Sequence, residues 1–196
     1  MPSSTLLEYI HGIIARVPLE HWVILGTMAL VLPVFLLVQK KSSTFGAFVL
    51  GLSIFVGLLL LDMAVVNRLG KKPSFSTEID LMAEISRLLH GGKYRSFEML
   101  SNILAFIPYG FFLFEFLSST KKYSTWRQIG LVTLFAFGLS MCIECLQLIL
   151  HVGFFELTDL FLNAMGAGFG ASLALLMRLL FIRKDNHVRW PGKERV

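Results

Sequence analysis

Apolar residues gather along the chain in five blocks separated by short charged stretches: Trp22 to Val38, Phe45 to Leu61, Met99 to Leu117, Ile129 to Leu150 and Leu157 to Ile182. A helix that crosses a bilayer needs about 20 predominantly apolar residues, and each block is close to that length or longer. The strand of a membrane barrel takes about 10 residues of alternating character. These blocks are too long for that and carry no period of two, so the pattern predicts an all-α fold, a polytopic transmembrane bundle of about five spanning helices. No internal repeat is visible.

Two further stretches read as amphipathic helices at the membrane surface. Leu6, Ile10, Ile13 and Val17 recur at helical spacing while Glu8, His11 and Arg16 take other sides, the pattern of an interfacial helix. Between the second and third blocks, Thr77 and Asp80 have the spacing of a capping box. The helix they open carries a stripe of Leu81, Ile85, Leu88 and Leu89 and ends at His90-Gly91-Gly92. That stripe either lies in the interface or packs on the bundle as a lid.

Composition agrees with the pattern. Of 196 residues, 55% are hydrophobic and 16% charged, with a mean hydropathy of +0.70, against about 25% charged in soluble domains. A soluble globular domain is excluded. The formal charge of +5 does not indicate nucleic acid, because the 18 basic residues are spread over loops and tails without an aromatic-basic module. Their distribution bears on topology instead. Alternate connections carry 11 and 7 of them, which predicts that the Lys40/Lys41 loop, the Lys121/Lys122/Arg127 loop and the C-terminus face the cytoplasm, with the N-terminus outside. The N-terminus has no lysine or arginine before Arg16 and lacks a small-residue cleavage site, so the first block is expected to be retained. Residues 1–182 are read as one transmembrane domain of the cell membrane and residues 183–196 as a basic cytoplasmic tail against anionic head groups. Cys142 and Cys145 share one apolar block, which fits neither a disulfide framework nor a zinc ribbon.

Candidate chemistry lies in polar residues where they are expensive, since an acidic group at the centre of a spanning helix costs roughly 2.5–3.5 kcal/mol on insertion scales. The third block holds Asn102 near its start and Pro108 and Gly110 further on. In the fourth, Ser140, Glu144 and Gln147 fall at i, i+4 and i+7, on one helix face; in the fifth, Glu156, Asp159 and Asn163 fall at i, i+3 and i+7, and the same side continues to Gly166 and Gly170. Up-and-down topology brings the polar residues to one membrane face, within about 11 Å of it at the helical rise, and Asp62 at the end of the second block reaches the same level. The glycines suit close helix packing of the small-xxx-small kind, within this chain or with a partner helix. Three carboxylates without a basic residue in the adjoining loop require a cationic, protonated or hydrogen-bonding partner. No metal site and no cofactor are predicted.

The stretches Asn102-Ile-Leu-Ala-Phe-Ile-Pro108-Tyr-Gly110, Ser140-Met-Cys-Ile-Glu144-Cys-Leu-Gln147 and Asp159-Leu-Phe-Leu-Asn163-Ala-Met-Gly166-Ala-Gly-Phe-Gly170 resemble the signature of the VanZ-like family of small integral membrane proteins. The resemblance implies residues 99–182 as the family's core and, through the teicoplanin-resistance protein that gives the family its name, a link to the cell envelope and antibiotic resistance. It implies no established reaction. Many members carry an arginine shortly before the Asp-x-x-x-Asn motif, whereas this chain reads His151-Val-Gly-Phe-Phe-Glu156-Leu-Thr-Asp159. His151, or Arg95 from the long connection, is the candidate replacement.

Two functions of different class follow. The first is an envelope-associated binding or accessory protein whose site, formed by Asn102, Glu144, Gln147, Glu156, Asp159 and Asn163 near the outer face, engages membrane lipids, a lipid-linked cell-wall precursor or a lipoglycopeptide. The alternative is a membrane-embedded enzyme acting on an amphiphilic substrate, with Glu144 and Asp159 as an acid–base pair or, with Glu156 and Asn163, as ligands of a hard cation. No nucleophile elbow or P-loop accompanies those carboxylates. A transporter reading is weakened by the lack of inverted repeats.

Overall fold

The computed structural model describes residues 17–39, 43–69, 77–78, 86, 92–120, 122–153 and 155–187. It contains five long helices: α1 (Leu19–Val38), α2 (Thr44–Ala64), α3 (Gly92–Ser119), α4 (Thr125–Ile149) and α5 (Leu157–His187). All five are long and apolar enough to cross a membrane, which makes the chain a multi-pass membrane protein. The helices run unbroken across Pro33 in α1 and Pro108 in α3. Ser43 caps α2 by accepting the Gly46 N–H at 3.0 Å.

Alanine is prominent in the buried core, and many large apolar side chains face outward. Ala136, Ala167, Ala171 and Ala174 are completely buried, while Leu30, Phe48, Trp126 and Phe169 face outward. Lipid solvates large apolar side chains as well as a protein interior does, so small residues are left to bring the helices together. Helix α3 is central, packing most extensively on α5 and also on α2 and α4; α4 and α5 pack on each other, and α1 sits at the edge, chiefly against α2. The α3–α5 seam is set by glycine. A Cβ at Gly110 would collide with the Ala167 backbone, one at Gly166 with the Ile103 carbonyl, and one at Gly170 with the Ile107 carbonyl. Pro108, read with Gly110 as a helix-packing position of the third block, is exposed.

The connection between α2 and α3 returns to the bundle end that holds the polar residues. After a short 3-10 turn (Val66–Arg68), strand β1 (Thr77–Glu78) pairs in parallel with β2 (Phe155–Glu156), matching Thr77 with Phe155 and Glu78 with Glu156. The expected helix therefore does not open at Thr77, because Glu78 is engaged in an extended ladder; of its stripe, Leu81, Ile85, Leu88 and Leu89 lie outside the described residues, as does the interfacial stretch at residues 1–16.

Candidate functional site

Helix α4 ends in a chiral turn that shapes the site. The Val152 N–H donates to Gln147 O at 3.0 Å and the His151 N–H to Leu148 O at 3.3 Å, while His151 takes φ 55°. This is the Schellman arrangement, in which the left-handed position after the helix is usually glycine. The turn sends the chain back over its own helix end. Gly153 then lies against Gln147 and Arg68, where a Cβ would come within 3.1 Å of the Gln147 amide carbon and 3.2 Å of Arg68 Nη1.

Three residues later the chain reaches Glu156, whose main-chain N–H donates to Glu144 Oε2 at 3.0 Å. This N–H sits at the start of α5, where helical donors have no partner within the helix, and the carboxylate of Glu144, a residue 3% exposed, supplies one. Glu156, Asp159 and Arg68 all lie near enough to Glu144 to act on its charge. One turn deeper, Asn163 Nδ2 donates to Ser140 Oγ at 2.8 Å. On the other flank, Gln147 Nε2 donates to Ala64 O at 3.0 Å, taking up a carbonyl left open at the end of α2. The face predicted for α4 is thus polar along Gln147, Glu144 and Ser140, and the predicted face of α5 meets it.

Not every predicted member joins. Asn102 is half-buried on α3, and its side chain makes no hydrogen bond among the described residues. Asp62 turns away toward α1, where its Oδ1 lies 2.8 Å from His21 Nδ1. The residue is 3% exposed, and its Oδ2 has no hydrogen-bond partner among the described residues. His151 is exposed at the turn rather than inserted among the carboxylates, and the Arg95 side chain lies outside the described residues.

The cation beside the carboxylates is Arg68, which sequence reasoning missed. It stands in a polar connection 76 residues before Glu144, and only the packing of α2 on α3 and α4 brings it to Gly153. Also missed was the ion pair at the opposite end of the bundle, where Arg178 Nε and Nη2 donate to Glu115 Oε1 and Oε2 at 2.9 and 2.7 Å. Near it Gln128 accepts from Ser118 Oγ at 2.6 Å and donates to Tyr123 O at 2.8 Å. Between the two polar ends the buried residues include Phe106, Val132, Ala136, Ala167 and Ala171. Among the described residues, no three His, Cys, Asp or Glu side chains are arranged to hold one metal ion.

The family description VanZ/LLP1 matches residues 47–178, well over half of the chain. The chain belongs to the VanZ/LLP1 family. The match spans nearly all of α2, the whole of α3 and α4, and α5 as far as Arg178, so it contains the Glu144 cluster, Arg68 and the Glu115–Arg178 pair. Helix α1 and His21 precede it. No curated protein and no solved structure matches the chain.

Proposed function

We propose that this VanZ/LLP1 protein is an envelope-associated binding or accessory protein. Its polar site takes the head of an amphiphile, such as a lipid-linked cell-wall precursor or a teicoplanin-type lipoglycopeptide, and thereby lowers susceptibility to such antibiotics. The observation that carries the reading is the buried polar cluster between α4 and α5. It starts at the bundle end with Gln147 and Arg68, continues through Glu144 and Glu156, and stops at Ser140 and Asn163. Beyond that level the buried core cluster among the described residues is apolar, with Leu113, Phe114, Val132, Ala136, Ala167 and Ala171 among its members. Polar groups gathered at head-group level beside lipid-facing helices suit a ligand with a polar head and an apolar tail. The excess of lysine and arginine on the other side favours an outward-facing site, with the N-terminus outside and the C-terminus cytoplasmic.

The test is the teicoplanin susceptibility of cells expressing the native chain, Glu144→Gln or Asp159→Asn at matched membrane abundance. Protection by the native chain that either variant loses supports the reading. Equal protection by all three, or none by the native chain, removes it.

A further inference from the structure

The seam between α1 and α2 is only partly closed. Of the described residues of α1, only Ala29 and Pro33 are buried. A trough of about 680 Å³ runs beside them, from Trp22 and Phe55 at one end to Leu37 and Thr44 at the other. Its buried lining consists of Ala29, Pro33, Ala47 and Gly51, and its exposed lining includes Val23, Leu30, Val34 and Phe48. Small side chains beneath larger rims leave the depression. A Cβ on Gly51 would touch Pro33 and the Ala29 carbonyl at 3.5 and 3.7 Å, so the helices already meet there. One on Gly26 would reach nothing nearer than Phe55 at 4.0 Å.

Chemistry and size together decide what the trough can hold. Among the described residues, the polar side-chain atoms of its lining are the Trp22 indole nitrogen and the hydroxyls of Thr27 and Thr44. Thr27 Oγ1 already donates to Val23 O at 2.9 Å. An apolar cavity of this kind takes apolar guests and stays free of water. Both walls are helices able to span a membrane, so the exposed rim opens on hydrocarbon. From Trp22 to Leu37 the trough is about 22 Å long at the helical rise. Its volume spread over that length gives a mean section of about 31 Å², against roughly 80 Å² for a helix 10 Å across. A partner helix is too wide to enter, whereas a single hydrocarbon chain is not.

We propose that the trough is a lipid site that holds one acyl chain of a bilayer phospholipid between α1 and α2. The chain supplies contacts that the side chains leave unmade, since apolar groups beside a void lose their dispersion partners. Held by two helices at once, it exchanges more slowly than lipid that touches a single face. The site is separate from the Glu144 cluster, and α1 precedes the residues of the family match, so this proposal and the proposed function can fail independently.

The experiment uses the purified full chain with one tryptophan kept. That residue is either Trp22 in the trough or Trp126, which is 80% exposed and serves as the reference for loosely held lipid. Each form is reconstituted in phosphatidylcholine brominated on its acyl chains, a contact quencher of indole fluorescence, and then transferred to detergent. Trp126 is expected to recover its emission on transfer while Trp22 stays quenched, with about one brominated phospholipid per chain in the native mass spectrum. Gly26→Leu, which fills the trough, should release Trp22 from quenching and lower the retained lipid about tenfold, one decade in affinity. Gly138→Leu, which meets open space on α4, should change neither. Recovery of Trp22 together with Trp126 overturns the proposal, because the lipid then merely surrounds the protein. Unchanged retention in a folded Gly26→Leu, or a polypeptide retained in place of lipid, overturns it as well. The comparison of the two tryptophans leaves the trough unfilled, so it decides the question even where Gly26→Leu does not fold.

Discussion

Glu144 Oε2 accepts the main-chain N–H of Glu156 at 3.0 Å, so a buried carboxylate on α4 anchors the chain where it enters α5. One contact thus serves the helix start and the site together. Acceptor and charge can be separated by substitution: glutamine retains an oxygen that can accept, whereas alanine leaves the Glu156 N–H buried without a partner. Glu144→Gln is expected to stay within about 1 kcal/mol of native stability, and Glu144→Ala to lose on the order of 1–3 kcal/mol. Thermal unfolding in one detergent, run on both variants, checks the order.

The glycine seam predicts a sharp positional contrast. Alanine at Gly110, Gly166 or Gly170 meets backbone atoms of the facing helix, which cannot yield as a flexible side chain can. Each should cost on the order of 1–3 kcal/mol. A Cβ at Gly130 or Gly138 meets nothing within 4 Å, and alanine there should be neutral or gain up to about 1 kcal/mol from helix propensity. Similar losses at all five positions, measured by thermal midpoint, would count against the seam.

Glu115 and Arg178 tie α3 to α5 at the end away from the site. Arg178 is partly exposed, so removing it should cost less than the 3–5 kcal/mol of a fully buried pair, about 1–2 kcal/mol. Glu115→Gln combined with Arg178→Gln should recover part of the loss of either single change. A double-mutant cycle on unfolding free energy reads the coupling, and additive losses would show that the pair contributes no specific energy.

His21 and Asp62 join α1 to the part of the bundle that carries the family match. Because Asp62 is buried, His21→Ala should weaken the docking of α1 more than Asp62→Asn, and the double variant should be milder than His21→Ala alone. The readout is disulfide formation between cysteines introduced at Ala29 and Gly51, positions that face each other across the two helices. Equal cross-linking in every background means that the His21–Asp62 pair does not hold α1.

Much of the site was legible along the chain because a helix converts spacing directly into facing. Ser140, Glu144 and Gln147 share a side at any tertiary arrangement, as do Asp159, Asn163, Gly166 and Gly170. Asn102 and Asp62 expose the limit of that logic. Their level in the membrane follows from helix length, but whether Asn102 meets the cluster, or Asp62 turns to α1, depends on helix rotation, and local spacing does not encode rotation. Thr77 and Asp80 carry a helix-start pattern, yet Thr77 and Glu78 pair with Phe155 and Glu156, since a ladder with a distant strand outweighs a weak local preference.

By itself the sequence determined that the spanning segments are helices in a membrane, because a bilayer leaves a long apolar segment no other way to satisfy its backbone. It determined five crossings and the end of the bundle at which the carboxylates collect. Tertiary structure alone decided their partners. Arg68 meets Gly153 and faces Glu144, and Arg178 meets Glu115 63 residues away. Such partners belong to helices whose relative rotation is set by how closely Gly110, Gly166 and Gly170 let backbones approach, a property of the assembled surfaces rather than of any one segment.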